Sequence, residues 1–336
     1  MKGLEMEFRT TVELPVKQTI IQHSDKIMLM GSCFAENIGK MFIENKFVCT
    51  LNPYGILYNP MSIACALDEL LRKKSYTERD PALVEYNGWH SLHHHGAFSA
   101  QTRRECVQNI NEKLKQTYMD FFQTDVLLIT WGTAWIYKWG LTGEIVANCH
   151  KIPASSFVRE RLDVHGIVQT YESLVLRLLT EVNPELKIIF TVSPVRHAKD
   201  GFHENQLSKS ILLLAIESLQ KKFPGTVSYF PSYEIMMDEL RDYRFYADDM
   251  LHPSQLAQTY IWRRFDECCF SDECRRIIGQ WNEIKKGLSH RPFHPESPEY
   301  REFLCQIVLK MTQLKEKYPY FEVKNEMELC RTLLKQ

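Results

Sequence analysis

Three residues of this chain have types and spacings suited to acyl chemistry. Ser32 follows Gly31 at the end of a short apolar run, Ile27 to Met30, and just before Phe34, Ile38, Met41 and Phe42, which recur at helical spacing. A strand is therefore predicted to turn into a helix at Gly31-Ser32. The first amides of a helix lack partners within it and lie at the positive end of its dipole. A hydroxyl placed there can attack an acyl carbon while its own backbone N–H helps hold the oxyanion, although a Gly-Ser pair also serves as a plain helix cap. Far downstream, Asp249 and His252 stand in Tyr246-Ala247-Asp248-Asp249-Met250-Leu251-His252-Pro253-Ser254. Pro253 disfavours helical angles at His252 and suits a first helical position, so a helix carrying Leu256, Tyr260, Ile261 and Phe265 is expected to begin there. Acid and imidazole then share one turn. From it the carboxylate can fix the ring's tautomer and stabilise its protonated form, leaving the other nitrogen for a serine brought in by the fold. Ser32 is thus the candidate nucleophile, His252 the base and Asp249 the orienting acid.

Gly31-Ser32-Cys33-Phe34-Ala35 resembles the signature of the GSCFA family, itself similar to the SGNH (GDSL-like) hydrolases, whose serine and Asp-x-x-His blocks lie in this order. The resemblance extends through Asn52-Pro53-Tyr54-Gly55, Trp131-Gly132-Thr133-Ala134, Asn148-Cys149-His150-Lys151, Ser193-Pro194-Val195-Arg196-His197 and His290-Arg291-Pro292-Phe293, and so covers most of the chain. It implies that Gly55, in a loop after the second strand, gives an amide to the oxyanion. It also marks a departure: the SGNH pattern completes that hole with a side-chain amide in a G-x-N-D segment, where this chain has Gly132-Thr133-Ala134-Trp135. The Thr133 hydroxyl, a backbone amide or Asn148 from the next loop are the candidate replacements.

These residues need a scaffold whose strand ends converge. Asp125–Thr130 reads as a buried strand, and from Val164 the chain alternates helix 165–182, strand 187–192, helix 204–222, strand 226–230 and the helix after Pro253. Such alternation implies parallel βαβ units with helices on both faces and ligands at the carboxyl edge of the sheet. Cys49–Pro60, rich in Gly, Pro and Asn, reads as loop, followed by helices 61–73 and 101–122. The stripe Leu207, Ile211, Leu214, Ala215 and Ile216 of helix 204–222 reads as core. Arg196 and His197 leave a strand at the carboxyl edge, where Arg196 can clamp an anionic or hydroxyl-rich group or serve as an ion-pair partner. Tyr246, on the approach to the His252 turn, can line a pocket. The run His90 to His95 reads as a loop bordering the site, with His95 a substrate contact; adjacent histidines on an extended chain point to opposite faces, so no metal site is expected.

Composition narrows the function classes. In 336 residues, 44% hydrophobic and 25% charged, Lys+Arg 41 balances Asp+Glu 42 for a formal net charge of -1, an ordinary globular profile offering nucleic acid or an acidic membrane surface nothing in bulk. Ten scattered cysteines lack a C-x-x-C pair. Met1–Lys17 lacks the continuous apolar core of a secretory signal, and no run reaches membrane-span length. A cytoplasmic setting is the expectation. No G-x-G-x-x-G or G-x-x-x-x-G-K-[ST] loop points to a nucleotide, and no organic cofactor is expected.

The expected fold is α/β: a three-layer α/β/α sandwich with a mostly parallel, flavodoxin-like sheet over residues 1–270, and a helical extension, 271–336, packed on it. The expected activity is that of a serine esterase acting on a small acyl ester, such as an O-acetyl group on carbohydrate. O-acyl transfer to a glycan hydroxyl and a glycan-binding module without turnover are the alternatives.

Overall fold

The computed structural model describes residues 9–15 and 20–335; of Met1–Lys17, read above for a secretory signal, only 9–15 fall within it. Five parallel strands form the central sheet: β1 (Ile27–Gly31), β2 (Cys49–Leu51), β5 (Val126–Trp131), β9 (Lys187–Val192) and β10 (Val227–Phe230), in the order β10-β9-β5-β1-β2. The fold is α/β, with ten helices among the described residues.

Alternation along each strand divides the core. Met28 and Met30 of β1 and Leu127 and Ile129 of β5 face one cluster, closed by α2 (Pro60–Leu71), α3 (Arg103–Phe121), α4 (Val164–Glu181) and α5 (Phe202–Lys222). Ile27, Leu29, Val126 and Leu128 face a second cluster with α1 (Cys33–Glu44) and α7 (Gln255–Cys269). Strands buried on both faces are continuously apolar, which is why β1 and β5 stand out in the sequence.

Register sets the height of the strand ends. Gly31 pairs with Thr130, and Thr130 with Thr191, so β1, β5 and β9 release their chains at one level. The strand order reverses between β1 and β5, the place where open parallel sheets leave a crevice for ligands. Gly31 is required there: its φ is +148°, and a Cβ would stand 2.3 Å from the Thr130 carbonyl oxygen.

Several expectations need revision. Residues 49–51, read as loop, are strand β2, short enough to hide among turn residues. A hairpin, β3 (Leu83–Glu85) with β4 (Trp89–Ser91), occupies the start of the histidine run. Between β5 and α4 lies an unanticipated antiparallel sheet, β7-β6-β8, made of β6 (Trp135–Trp139), β7 (Ile145–Val146) and β8 (Phe157–Arg161). The buried stripe of α5 is rotated from the one expected: Leu212, Ala215, Ile216 and Leu219 continue a polar start at Asn205, Ser208 and Lys209, while Leu214 is exposed. Helix α6 (Ser232–Glu234) runs on into a π-turn, Ile235–Glu239, before the His252 loop.

Helices α8 (Asp272–Leu288), α9 (Pro298–Lys317) and α10 (Lys324–Leu334) share an apolar cluster of their own, with Trp281, Leu304, Met311 and Phe321 fully buried. They are tied to the far end of α1, where Trp281 Nε1 donates to the Glu44 carbonyl at 2.7 Å and Lys285 Nζ to Asn45 Oδ1 at 3.0 Å. Among the described residues no helix is long and apolar enough to cross a membrane.

Candidate active site

Ser32 is the N-cap of α1. Its extended backbone (φ -71°, ψ 178°) stops the strand, its carbonyl accepts the Glu36 amide at 3.1 Å, and its Oγ accepts the Phe34 amide at 3.3 Å. The side chain is buried, and the first-turn amides beside it, that of Cys33 included, have no partner within the helix.

Asp249 and His252 share one turn. His252 Nδ1 lies 2.6 Å from Asp249 Oδ2, while Oδ1 accepts the amides of Leu251 and His252, each at 2.9 Å. The His252 amide, then the Leu251 amide and the imidazole, hold this carboxyl down at about 2. An ionised carboxylate only accepts, so the ring carries its hydrogen on Nδ1 and turns a basic Nε2 outward. The turn is held from outside: Arg196 donates from Nη2 to the Met250 carbonyl and from its amide to Leu251 O at 3.3 Å, with its guanidinium 4.6 Å from the Tyr246 ring centre. Ser254, and not a proline at the first helical position, caps α7.

A cavity of about 550 Å³ opens at the carboxyl ends of β1, β5 and β9, and Ser32, Thr133, Asn148, Arg196, His197 and His252 all line it. Four expected residues stand outside: Asp249, which sits behind His252, and Gly55, His95 and Tyr246. Gly55 donates its amide to Asn52 O at 2.7 Å in a tight turn and packs on His95, where a Cβ would come within 2.2 Å of the histidine's own; it is not an oxyanion donor in this arrangement. His95 caps the turn Gly96–Phe98, its Nδ1 accepting the Ala97 amide. Tyr246 lies beneath Arg196. None of the histidines from His90 to His95 reaches the cavity; His90 stacks on His150 at 4.7 Å and the buried His94 on Tyr54 at 4.6 Å, so the run supports the loops behind it. His93 does approach Cys65 and Glu69 with ligand atoms within 4.8 Å, but Glu69 already takes Tyr76 OH at 2.7 Å and the Lys74 ammonium at 3.0 Å. A cation there would meet a carboxylate already neutralised.

Of the candidates in the cavity, Thr133 is committed. Its Oγ1 pairs with Ser208 Oγ at 3.2 Å and accepts the Trp135 amide at 3.1 Å, while its own amide and that of Gly132 donate to Tyr58 O at 3.0 and 2.8 Å. Asn148 Oδ1 accepts the His150 amide at 2.9 Å.

Lys209 escaped the sequence reading. Wholly buried in α5 under the strand ends, its ammonium donates to Gly132 O and Ser193 O, each at 2.7 Å, and burial brings it down to about 7. Its signal was positional, since Asn205, Ser208 and Lys209 precede Leu212 on one helical face. His197 is pushed down to about 4 by burial, then by Lys209 and His252, so its ring is neutral at pH 7. The outer wall comes from the unanticipated sheet: Trp135, Tyr137 and Arg159, the last donating from Nη1 and Nη2 to the two carboxylate oxygens of Asp200, each at 2.5 Å.

Compared with known proteins, the chain matches the model of the GSCFA family over residues 26–265 and that of the GSCFA domain protein C-terminal domain over residues 281–336. No curated protein matches it.

Proposed function

The chain belongs to the GSCFA family, and on that premise we propose that it is a serine hydrolase of small acyl esters with an SGNH-type three-layer core. One observation carries the reading: Ser32, capping the first helix of the sheet, and His252, backed by Asp249 at 2.6 Å, line the same cavity at the point where the strand order reverses. As Ser32 Oγ attacks the ester carbon, His252 Nε2 takes its proton, with Asp249 holding Nδ1–H and stabilising the imidazolium. Collapse of the tetrahedral adduct returns that proton to the leaving alcohol. Water, activated by the same ring, then releases the acid. Amides at the start of α1 are placed to favour the negative charge. The aromatic side chains Tyr58, Trp135 and Tyr137, set among Asn148, Arg159 and Arg196, suit an acylated sugar. All ten cysteines are free thiols, which supports a reducing compartment.

The test is labelling by a fluorophosphonate probe together with turnover of p-nitrophenyl acetate, for the parent, Ser32→Ala and His252→Ala. Labelling confined to chains that keep Ser32, with turnover that collapses in both variants, is the expected result. A folded parent that neither labels nor turns over ends the hydrolase reading.

A further inference from the structure

Most of the donors considered so far are spent elsewhere; of the side chains named for the oxyanion, Asn148 has its Oδ1 tied to the His150 amide and stands on the outer wall. Gly55 N–H is spent on Asn52 O, the amides of Gly132 and Thr133 on Tyr58 O, and the Thr133 hydroxyl on Ser208 and the Trp135 amide. Glycine at position 132 leaves a space beside the nucleophile that another element fills. A Cβ built on Gly132 would stand 3.6 Å from Ser32 Cβ and 3.7 Å from His197 Nε2. His197 Nε2 and Ser32 Cβ thus both lie within 4 Å of the point where a side chain on Gly132 would begin, His197 arriving from the end of β9, the strand paired with β5.

The backbone that carries it is held. The His197 amide donates to Asn205 Oδ1 at 3.0 Å, and Lys209, one helical turn further along α5, pins Gly132 O and Ser193 O together, fixing both strand ends. Burial and the Lys209 ammonium keep the ring neutral at pH 7, and a neutral imidazole donates from one nitrogen without itself acting as an acid. His252, with Asp249 on its Nδ1, is already equipped as the base. The site thus holds two imidazoles in different electrostatic settings, which separates their tasks.

Resting on the hydrolase reading above, we infer that His197 is a catalytic residue, the side-chain donor of the oxyanion hole, giving its Nε2 hydrogen to the ester carbonyl oxygen while Ser32 attacks. In that step the Oγ–C bond forms, the carbonyl π pair moves onto oxygen, and the Oγ proton passes to His252 Nε2. The His197 proton is shared with the oxyanion and stays on nitrogen. On collapse the C–O bond to the leaving group breaks, and that alkoxide takes the proton held by His252.

The experiment compares the parent, His197→Ala and His197→Gln in p-nitrophenyl acetate turnover, thermal melting and fluorophosphonate labelling. The inference expects kcat to fall about 10²- to 10³-fold in His197→Ala with KM within about twofold. It also expects His197→Gln, which keeps an N–H donor, to regain about tenfold or more of that loss, with melting temperatures matching the parent. A merely structural histidine would not separate Gln from Ala in kcat at equal stability. Turnover in His197→Ala within about threefold of the parent, or a Gln variant no better than Ala, overturns the inference while a labelled, active parent leaves the hydrolase reading standing. A folded parent without labelling or turnover overturns both.

Discussion

The His252 imidazole and the Asp249 carboxylate meet at 2.6 Å through Nδ1 and Oδ2, and the other carboxylate oxygen accepts two amides of the same turn. One side chain therefore builds the turn and orients the ring. Asp249→Asn separates the two tasks, because its carbonyl oxygen can still cap the turn amides while its NH₂ faces Nδ1 and favours the wrong tautomer. Turnover of p-nitrophenyl acetate should fall about 10²- to 10⁴-fold with little change in melting temperature.

The same carboxyl, held at about 2, sets an expectation for acid pH. A lowered carboxylate stabilises the fold above its unfolded value of 3.8, and that contribution is lost as pH falls toward 2. Asp249 accordingly stays ionised until the pH falls below about 4. The melting temperatures of the parent and Asp249→Ala should differ at pH 5 and converge as the pH falls toward 2.

Lys209 makes stability depend on alkali. Its folded value of about 7 lies below the unfolded 10.5, so across that window the unfolded chain holds a proton that the folded chain has released. Stability from this group must rise with pH between those limits and stay flat below them, at up to about 1.4 kcal/mol per pH unit. Urea midpoints of the parent and Lys209→Met, taken at pH 7, 8 and 9, should diverge by that slope, the variant losing the rise. Equal slopes would mean that Lys209 is solvated.

Arg196 grips the Met250 and Leu251 carbonyls from the strand-end side. Met250 sits at φ +59°, a conformation an L-residue holds only when its surroundings insist. Removing the guanidinium in Arg196→Ala should loosen the turn and displace His252. A drop of about 10- to 100-fold in kcat is expected, together with faster proteolytic cleavage around residues 247–251.

Trp281 joins the C-terminal helices to the end of α1, the helix whose other end carries Ser32. Trp281→Ala should cost about 3–5 kcal/mol in denaturant unfolding, and Trp281→Phe, which keeps much of the bulk but drops the bond to Glu44 O, about 1 kcal/mol more than its lost volume alone. Turnover per folded molecule should be unchanged in the milder variant.

The parallel core was legible because burial on both faces writes unbroken apolar runs such as Ile27–Met30 and Val126–Ile129. The placement of Ser32 at a strand–helix junction and of Asp249 beside His252 in one turn was legible because each sits at an element boundary with its own punctuation. The β6–β8 sheet was not: along β8 it is Arg159 and Arg161 that face inward, over the Trp135 ring at 4.2 and 5.6 Å, while Val158 is exposed, so the usual apolar alternation is inverted. Lys209 was hidden for a related reason, a charge on a helix normally marking the solvent side. Gly55, His95 and Tyr246 were misplaced because the sequence reports their neighbours along the chain and not the turn and ring contacts that engage them.

The inserted sheet has a consequence for how such a molecule can diversify. Ser32, Asp249 and His252 belong to the ends of the parallel core, whereas Trp135, Tyr137, Asn148 and Arg159 all come from the single stretch between β5 and α4. The outer wall of the cavity is thus written as one contiguous cassette, anchored to the β9–α5 loop through Arg159 and Asp200. On the proposed function, substitutions within that cassette would reshape what enters while leaving Ser32, Asp249 and His252 in place, and transplanting it would exchange selectivity in one cut.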